Sequence, residues 1–477
     1  MQVERKSSPS TASGMYQVIV ISLGLFVIFL DSTIVNIALP TMIDQFAISL
    51  KTAAWVMNAY TMTVAILLIF MGKIADLYGK KRMFSLGLTL FMLSSLLCAI
   101  APTASLLIAA RTLQGIGGAM AIPASMSLVR SIVPKEKVGA AMGIWSAVGA
   151  LAIAVGPSLG GLITEAFSWH WVFYLNIPVI LMALFLQRNA LISYQDQIQP
   201  GKLDWWGTIL LSIGLFCCIN GFLQVAEHGW LSPVVWWQLS IALLLIGGFI
   251  WTQTIRANPL MELAIFKNHH YVTGLLSNTL GGLLLMGTMI ISPLYLTRIL
   301  HFSTLKASIL MTPLSVSLLL ISPFIGKMID KIGSRIPLTI GYAISILSFV
   351  LLGTLPLQSS SIGLFIGCLT LAGFGIGMIA IASLTLSTLS IPEEHLNIAS
   401  GTFAMFRNLG GAMGIALFVS VSAGNAAESA GALSVFRTEG FQHAYFSGGI
   451  LAIGFMVVSF VLFNRKNEEF TQNKGGL

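Results

Sequence analysis

Charge is the first thing this chain is short of. Only 9% of its 477 residues are Asp, Glu, Lys or Arg, against about 25% in an ordinary soluble domain. So few charges cannot cover a soluble body of this size, and a soluble globule is excluded. With 56% hydrophobic residues and a mean hydropathy of +0.89, most of the chain has lipid for its solvent. Cysteine is equally scarce. Cys98, Cys217, Cys218 and Cys368 all fall in apolar stretches with no ligand-like spacing to histidine, so neither a disulfide framework nor a metal site is suggested. No Gly-x-x-x-x-Gly-Lys-Ser/Thr loop is present to cradle nucleotide phosphates. A membrane-embedded enzyme would need acids, histidines or a Ser/Lys arrangement converging at one depth, and the apolar runs offer one aspartate and two arginines. No catalytic residue and no cofactor is expected.

What is present is apolar length. Crossing a bilayer core of about 30 Å takes about 20 helical residues. Fourteen runs qualify: 16–39, 54–72, 83–101, 104–128, 139–163, 170–187, 205–225, 234–252, 271–294, 307–326, 337–355, 362–386, 397–422 and 444–463. They are apolar throughout rather than alternating, which predicts helices and not barrel strands. The first run has too long an apolar core for a signal peptide, carries Asp31 and is followed by no small-residue cleavage site, so a retained first span is expected.

Basic residues set the orientation. With the N-terminus in the cytoplasm, only Lys51, Arg298, Lys306 and Arg437 fall on the far side and Arg111 and Arg407 fall within spans, which leaves nineteen of the 25 on the cytoplasmic side. This predicts a multi-pass protein of the cytoplasmic (inner) membrane with both termini inside. The net charge of +8 then meets anionic lipid, and no nucleic-acid partner is implied.

The chain also repeats itself. The stretch 72–81, Gly-Lys-Ile-Ala-Asp-Leu-Tyr-Gly-Lys-Lys, is echoed at 326–335 by Gly-Lys-Met-Ile-Asp-Lys-Ile-Gly-Ser-Arg, an offset of 254 (326 against 72). Pro134, Glu136 and Gly143 are echoed by Pro392, Glu394 and Gly401, an offset of 258 (392 against 134). Six spans per half would give an offset of only about 200, so about two extra spans lie between the copies. Spans seven and eight fit that insertion. An all-α membrane fold is expected: a tail at 1–15, a six-helix half at 16–187, a linker and inserted pair at 188–257, a second half at 258–463 and a tail at 464–477.

These residues carry a resemblance. Gly72, Asp76, Gly79, Lys80, Lys81 and Arg82 resemble the loop signature of the major facilitator superfamily, with its weaker copy around Asp330. Leu30-Asp31-Ser32-Thr33-Ile34-Val35-Asn36-Ile37-Ala38-Leu39-Pro40, Arg111-Thr112-Leu113-Gln114-Gly115 and Gly156-Pro157-Ser158-Leu159-Gly160-Gly161 resemble the fourteen-span drug:proton antiporters of the EmrB/QacA type. The resemblance covers almost the whole chain. It implies a major facilitator fold and proton-driven efflux of small amphipathic or toxic compounds by alternating access, but says little of the substrate. A dedicated exporter of one metabolite, such as a siderophore, fatty acid or amino-acid derivative, is the alternative, and a non-transporting scaffold or receptor is a second. Protons, lipid and a small-molecule substrate are the expected partners, with a periplasmic adaptor as a further candidate.

Each motif also has a physical reading. Asp31 is the sole acid inside a span, and an ionised carboxylate there is costly unless paired or protonated, which suits a proton carrier or a structural helix–helix hydrogen bond. Arg111 cannot shed its charge and must be balanced; the resemblance implies a part in proton transfer beside span one, and a purely structural bond to backbone carbonyls is the alternative. Gln114 shares the Arg111 face, while Asn36 reads as a packing amide or a cavity wall. Gly156 and Pro157 are expected to interrupt span five, with Gly160 and Gly161 admitting a neighbouring helix. The resemblance implies that this stretch seals one half against the other. The Gly72–Asp76–Gly79 loop with its cations, and its copy around Asp330, reads as a latch between helix ends. Arg407, with no acid in the second half's spans, is expected to reach the Asp330 loop or line the cavity. Trp55, Tyr60 and Trp145 are candidate cavity walls.

Overall fold

The computed structural model describes residues 11–134, 137–192, 194, 196, 203–229, 231–256, 259–260, 263–354, 362–391, 396–423 and 438–463. Lipid offers no partner for a peptide group, so each apolar run must satisfy its own backbone, and the helix does this within one segment. The helices are α1 (Thr11–Phe46), α2 (Leu50–Tyr78), α3 (Lys80–Ala99), α4 (Ala104–Ile132), α5 (Val138–Ala166), α6 (His170–Tyr174), α7 (Asn176–Ala190), α8 (Trp205–His228), α9 (Pro233–Ile255), α10 (His269–Arg298), α11 (Thr304–Ile332), α12 (Arg335–Thr354), α13 (Ile362–Leu389), α14 (Leu396–Ala423) and α15 (Thr438–Phe463). Among the described residues, fourteen helical stretches are long and apolar enough to cross a membrane. Side-chain caps start several of them: Ser49 Oγ accepts from Thr52 N, Thr103 Oγ1 from Leu106 N and Ser303 Oγ from Lys306 N, each satisfying an amide that the first turn leaves free.

The face of the bundle where α1 begins is its first face; the second face is where α1 ends, beside residues 47–49. Packing repeats along the chain. α1 packs on α5, α2 on α4 and α3 on α4; in the same order α10 packs on α14, α11 on α13 and α12 on α13. Two seams join these groups, α2 with α14 and α5 with α11. The motif repeat is reproduced in the backbone: Gly79 (φ 104°) and Gly333 (φ 76°) end α2 and α11 in the left-handed region that favours glycine. Their amides cap Ala75 O at 3.0 Å and Ile329 O at 2.8 Å.

One sequence expectation is refined and one corrected. The sixth span is present as expected, over His170–Ala190, but is divided into α6 and α7 at Leu175. Pro178, lacking an N–H, could not donate to Tyr174 O, so the chain restarts its helix at Asn176 and places proline in the new first turn, where it is tolerated. Span five, in contrast, continues helically through Pro157 from Val138 to Ala166.

The inserted pair α8 and α9 packs on itself, and α8 also packs on both α2 and α14. It therefore lies along one of the two seams. Trp205 sits edge-on to Phe70 at 5.3 Å, Trp55 is tilted on Phe216 at 6.5 Å, Lys51 Nζ donates to Gln224 Oε1 at 3.1 Å, and Ser420 Oγ donates to Phe222 O at 3.3 Å. At the first face Asp204 caps α8 through Gly207 N (2.9 Å) and holds α9 through Gln253 Nε2 (2.7 Å) and Arg256 Nη1 (2.8 Å).

Candidate functional site

The polar centre of the bundle is built around Asp31 on α1. Neither Asp31 nor Arg111 on α4 has any exposed surface, and Arg111 Nη1 donates to Asp31 Oδ2. The other carboxylate oxygen accepts from Gln114 Nε2 at 3.0 Å and from Asn176 Nδ2 at 2.9 Å. All three partners donate, a pattern that fits an ionised carboxylate, which can only accept. Arg111 is held in turn by Val56 O (Nε, 3.1 Å) and Gln114 Oε1 (Nη1, 2.5 Å), with its guanidinium 4.4 Å from the Tyr60 ring centroid and 5.8 Å from that of Phe173. Its Nη2 has no hydrogen-bond partner among the described residues.

Sequence reasoning reached Asp31, Arg111, Gln114 and Tyr60. It missed Asn176 and Ser95. Ser95 Oγ accepts from Gln114 Nε2 (2.8 Å) and Asn176 Nδ2 (3.2 Å) while donating to Phe91 O (2.7 Å), so it fixes the two amides that face the carboxylate. The available signal was an amide at the first position of a helix restart, two residues before Pro178.

The remaining candidates are placed variously. Tyr60 donates to Ile28 O at 3.3 Å and lies under Arg111. Asn36 is buried and donates to Ser32 O and Thr33 O of its own helix. Trp145 donates to Ser125 Oγ at 3.1 Å and meets Phe29 edge-on at 6.0 Å. Trp55 faces α8 rather than the Asp31 cluster. Gly156, Gly160 and Gly161 lie at close approaches: a Cβ on Gly156 would overlap Thr33 of α1, one on Gly160 would lie 2.8 Å from Ile34, and one on Gly161 would overlap Ser308 of α11. Around the repeated loop, the ties run from Lys81: its backbone N donates to Asp196 Oδ1 at 3.1 Å and its Nζ to Leu191 O. Gly79 packs against Asp196, and Gly72 faces Pro123. Asp76 makes no hydrogen bond or ion pair among the described residues; Lys80 and Lys73 are the cations acting on it. Arg82 is exposed, and the Asp330 side chain lies outside the described residues.

Every described hydrogen bond between α1–α7 and α10–α15 is at the second face. Ser158 and Thr312 hydroxyls lie 2.6 Å apart, Glu165 Oε2 accepts from Leu305 N at 2.6 Å, and Arg298 Nη2 donates to Pro40 O at 2.9 Å and to Asp44 Oδ1 at 2.7 Å.

A helical bundle packed twice over on the same plan, its two groups bonded at one face and a buried charge pair held within the first, is the architecture of a membrane transporter. The chain belongs to the Major Facilitator Superfamily, whose family model matches residues 21–415 and again 275–475. It is 29% identical over 405 residues to the multidrug resistance protein Stp of Mycobacterium tuberculosis, covering 84% of this chain and 74% of that one. It is 29% identical over 409 residues to the multidrug export protein EmrB of Haemophilus influenzae (83% and 78%). Lincomycin resistance protein LmrB of Listeria innocua is 28% identical over 448 residues (92% and 94%).

Proposed function

We propose that the protein is a proton-coupled antiporter that exports small amphipathic compounds, with Asp31 as the proton carrier and Arg111 as the charge that holds it between turnovers. The observation that carries this reading is the Asp31 carboxylate sealed from solvent with all its partners donating. Protonation would remove the charge that Arg111 balances and leave three donors facing a neutral acid, so proton uptake and release change how tightly α1, α4 and α7 are bound together. The names of the drug-resistance relatives support the cargo class.

The first face is assigned to the cytoplasm of the inner membrane, following the bias of basic residues. The second-face hydrogen bonds then close the outside, and substrate enters from the cytoplasm. The groups α1–α7 and α10–α15 would rock about the α2–α14 and α5–α11 seams. Gly161 would keep the outer end of the α5–α11 seam tight, Gly156 and Gly160 would hold α5 close on α1, and the Gly72–Arg82 loop would latch the inner rim. A periplasmic adaptor would dock on the second face.

Reconstituted protein tests the reading. With an imposed proton gradient, wild-type vesicles accumulate an amphipathic dye and move protons with it, whereas Asp31→Asn, correctly inserted, does neither. Gradient-driven transport by that variant at the wild-type rate would refute the role of Asp31.

A further inference from the structure

Arg407 is the embedded cation that the Asp31 cluster leaves out. It sits midway along α14, where Gly410 and Gly414 lie against the α10 backbone at Thr279 and Leu283, and its own carbonyl lies against Gly282. Gly411, one turn on from Arg407 and on the same side of α14, faces Met286 of α10 and Thr61 of α2. Arg407 therefore stands where α14 passes between helices of the two groups. Its side chain is half-buried rather than sealed, and its guanidinium makes no hydrogen bond or ion pair among the described residues.

Four of the described acids are already partnered. Both Asp31 oxygens are filled by Arg111, Gln114 and Asn176, Asp44 binds Arg298 and Glu165 binds Leu305 N at the second face, and Asp204 binds Arg256. A guanidinium cannot neutralise itself by losing a proton, and an unpaired charge within a membrane bundle is retained where function supplies its partner. A second unfilled group lies on the same seam. Asn58, one turn from Thr61 on the side of α2 turned toward α14, is fully buried with neither its amide nitrogen nor its oxygen bonded.

We propose that Arg407 is the substrate-recognition cation and that the cargo is an amphipathic anion: an apolar body carrying one carboxylate or similar planar anion. The guanidinium fork takes the carboxylate through two parallel hydrogen bonds, and Asn58, about 10 Å nearer the second face by helix rise, offers an amide to the far end of the cargo as the seam opens. Organic cations are disfavoured because they would meet an uncompensated positive charge. Naming this substrate as cargo rests on the efflux reading above, but the binding chemistry does not.

Equilibrium binding to purified, detergent-solubilised protein tests the proposal with three pyrene probes of matched size: pyrenebutyrate, its methyl ester and a pyrenyl trimethylammonium salt. Wild-type protein binds the acid at least about tenfold more tightly than either of the others, as a charge-assisted hydrogen-bond pair implies. Arg407→Gln abolishes that preference while leaving the ester's affinity within about twofold, and Arg407→Lys keeps part of it because it retains charge without the planar fork. Equal wild-type affinity for acid and ester, tighter binding of the cation, or an unchanged preference in Arg407→Gln overturns it. Because binding is read without a gradient, loss of proton-driven transport in vesicles refutes the efflux reading alone.

Discussion

Gly161 of α5 meets Ser308 of α11 so closely that a Cβ on the glycine would overlap both the hydroxyl and the Cβ of the serine. Three residues earlier on the same helix, Ser158 bonds Thr312 at 2.6 Å, so the two helices are joined over a full turn at the second face. In contrast, a Cβ on Gly143 near the other end of α5, or on Gly326 of α11, would meet nothing within 4 Å. The seam is thus closed at one end, and glycine is what permits the approach.

Gly161→Ala is therefore expected to force the α5–α11 ends apart. Interior packing does not absorb such an overlap without backbone movement, which typically costs 1–3 kcal/mol, about tenfold in the balance between two conformations. Turnover should fall by about that factor with insertion unchanged. A cysteine placed at Thr312 should label faster with an impermeant maleimide from the second face. Unaltered labelling would show that the seam does not govern access there.

The Asp31–Arg111 pair should behave as a strongly coupled unit. Removing one partner of a buried pair leaves an uncompensated charge and costs about 3–5 kcal/mol. Asp31→Asn and Arg111→Gln should each lower the melting temperature in detergent more than the double variant does. Additive effects would mean that the two side chains are held independently by their neighbours.

Asn176→Leu removes one donor to Asp31 and one to Ser95. A hydrogen bond to a charged group contributes about 1.5–3 kcal/mol, so a loss in that range is expected, with transport impaired although the proton carrier itself is intact. Asn176→Gln, displacing the same amide by one methylene, should recover stability in part. A thermal melt beside a vesicle transport assay checks both.

The inserted helices can be tested by joining Pro200 directly to Ala257, which preserves the orientation of every later span. The repeated packing of α1–α5 and α10–α14 does not involve α8 and α9, so insertion and exchange should persist. Stability should fall, because α8 packs on both α2 and α14 and its removal uncovers Phe70 and Trp55 and takes away the Gln224 acceptor of Lys51 and the Phe222 acceptor of Ser420. A correctly inserted protein without exchange would place the pair inside the transport cycle.

How the sequence and the folded chain divide the explanation follows from the range of each interaction. Span number and helical character were legible because a lipid-facing helix advertises itself locally: about 20 apolar residues whose backbone must bond within one segment. Duplication was legible because Gly79 and Gly333 answer a local demand, a left-handed residue closing α2 and α11. Asp31 and Arg111 were legible as costs, since an ionised group in an apolar run calls for a partner wherever that partner lies. Which groups answer was decided by tertiary packing: Asn176 reaches Asp31 across 145 positions of sequence and Gln114 across 83. The same holds for Lys81, which carries the ties of the repeated loop to Leu191 and Asp196 where the motif had pointed to Asp76. It holds too for α8, an insertion between repeats in the sequence that folding lays along the α2–α14 seam. Hydropathy and glycine geometry are properties of neighbouring residues, whereas hydrogen-bond pairing and seam contacts depend on which helices the closed bundle brings side by side.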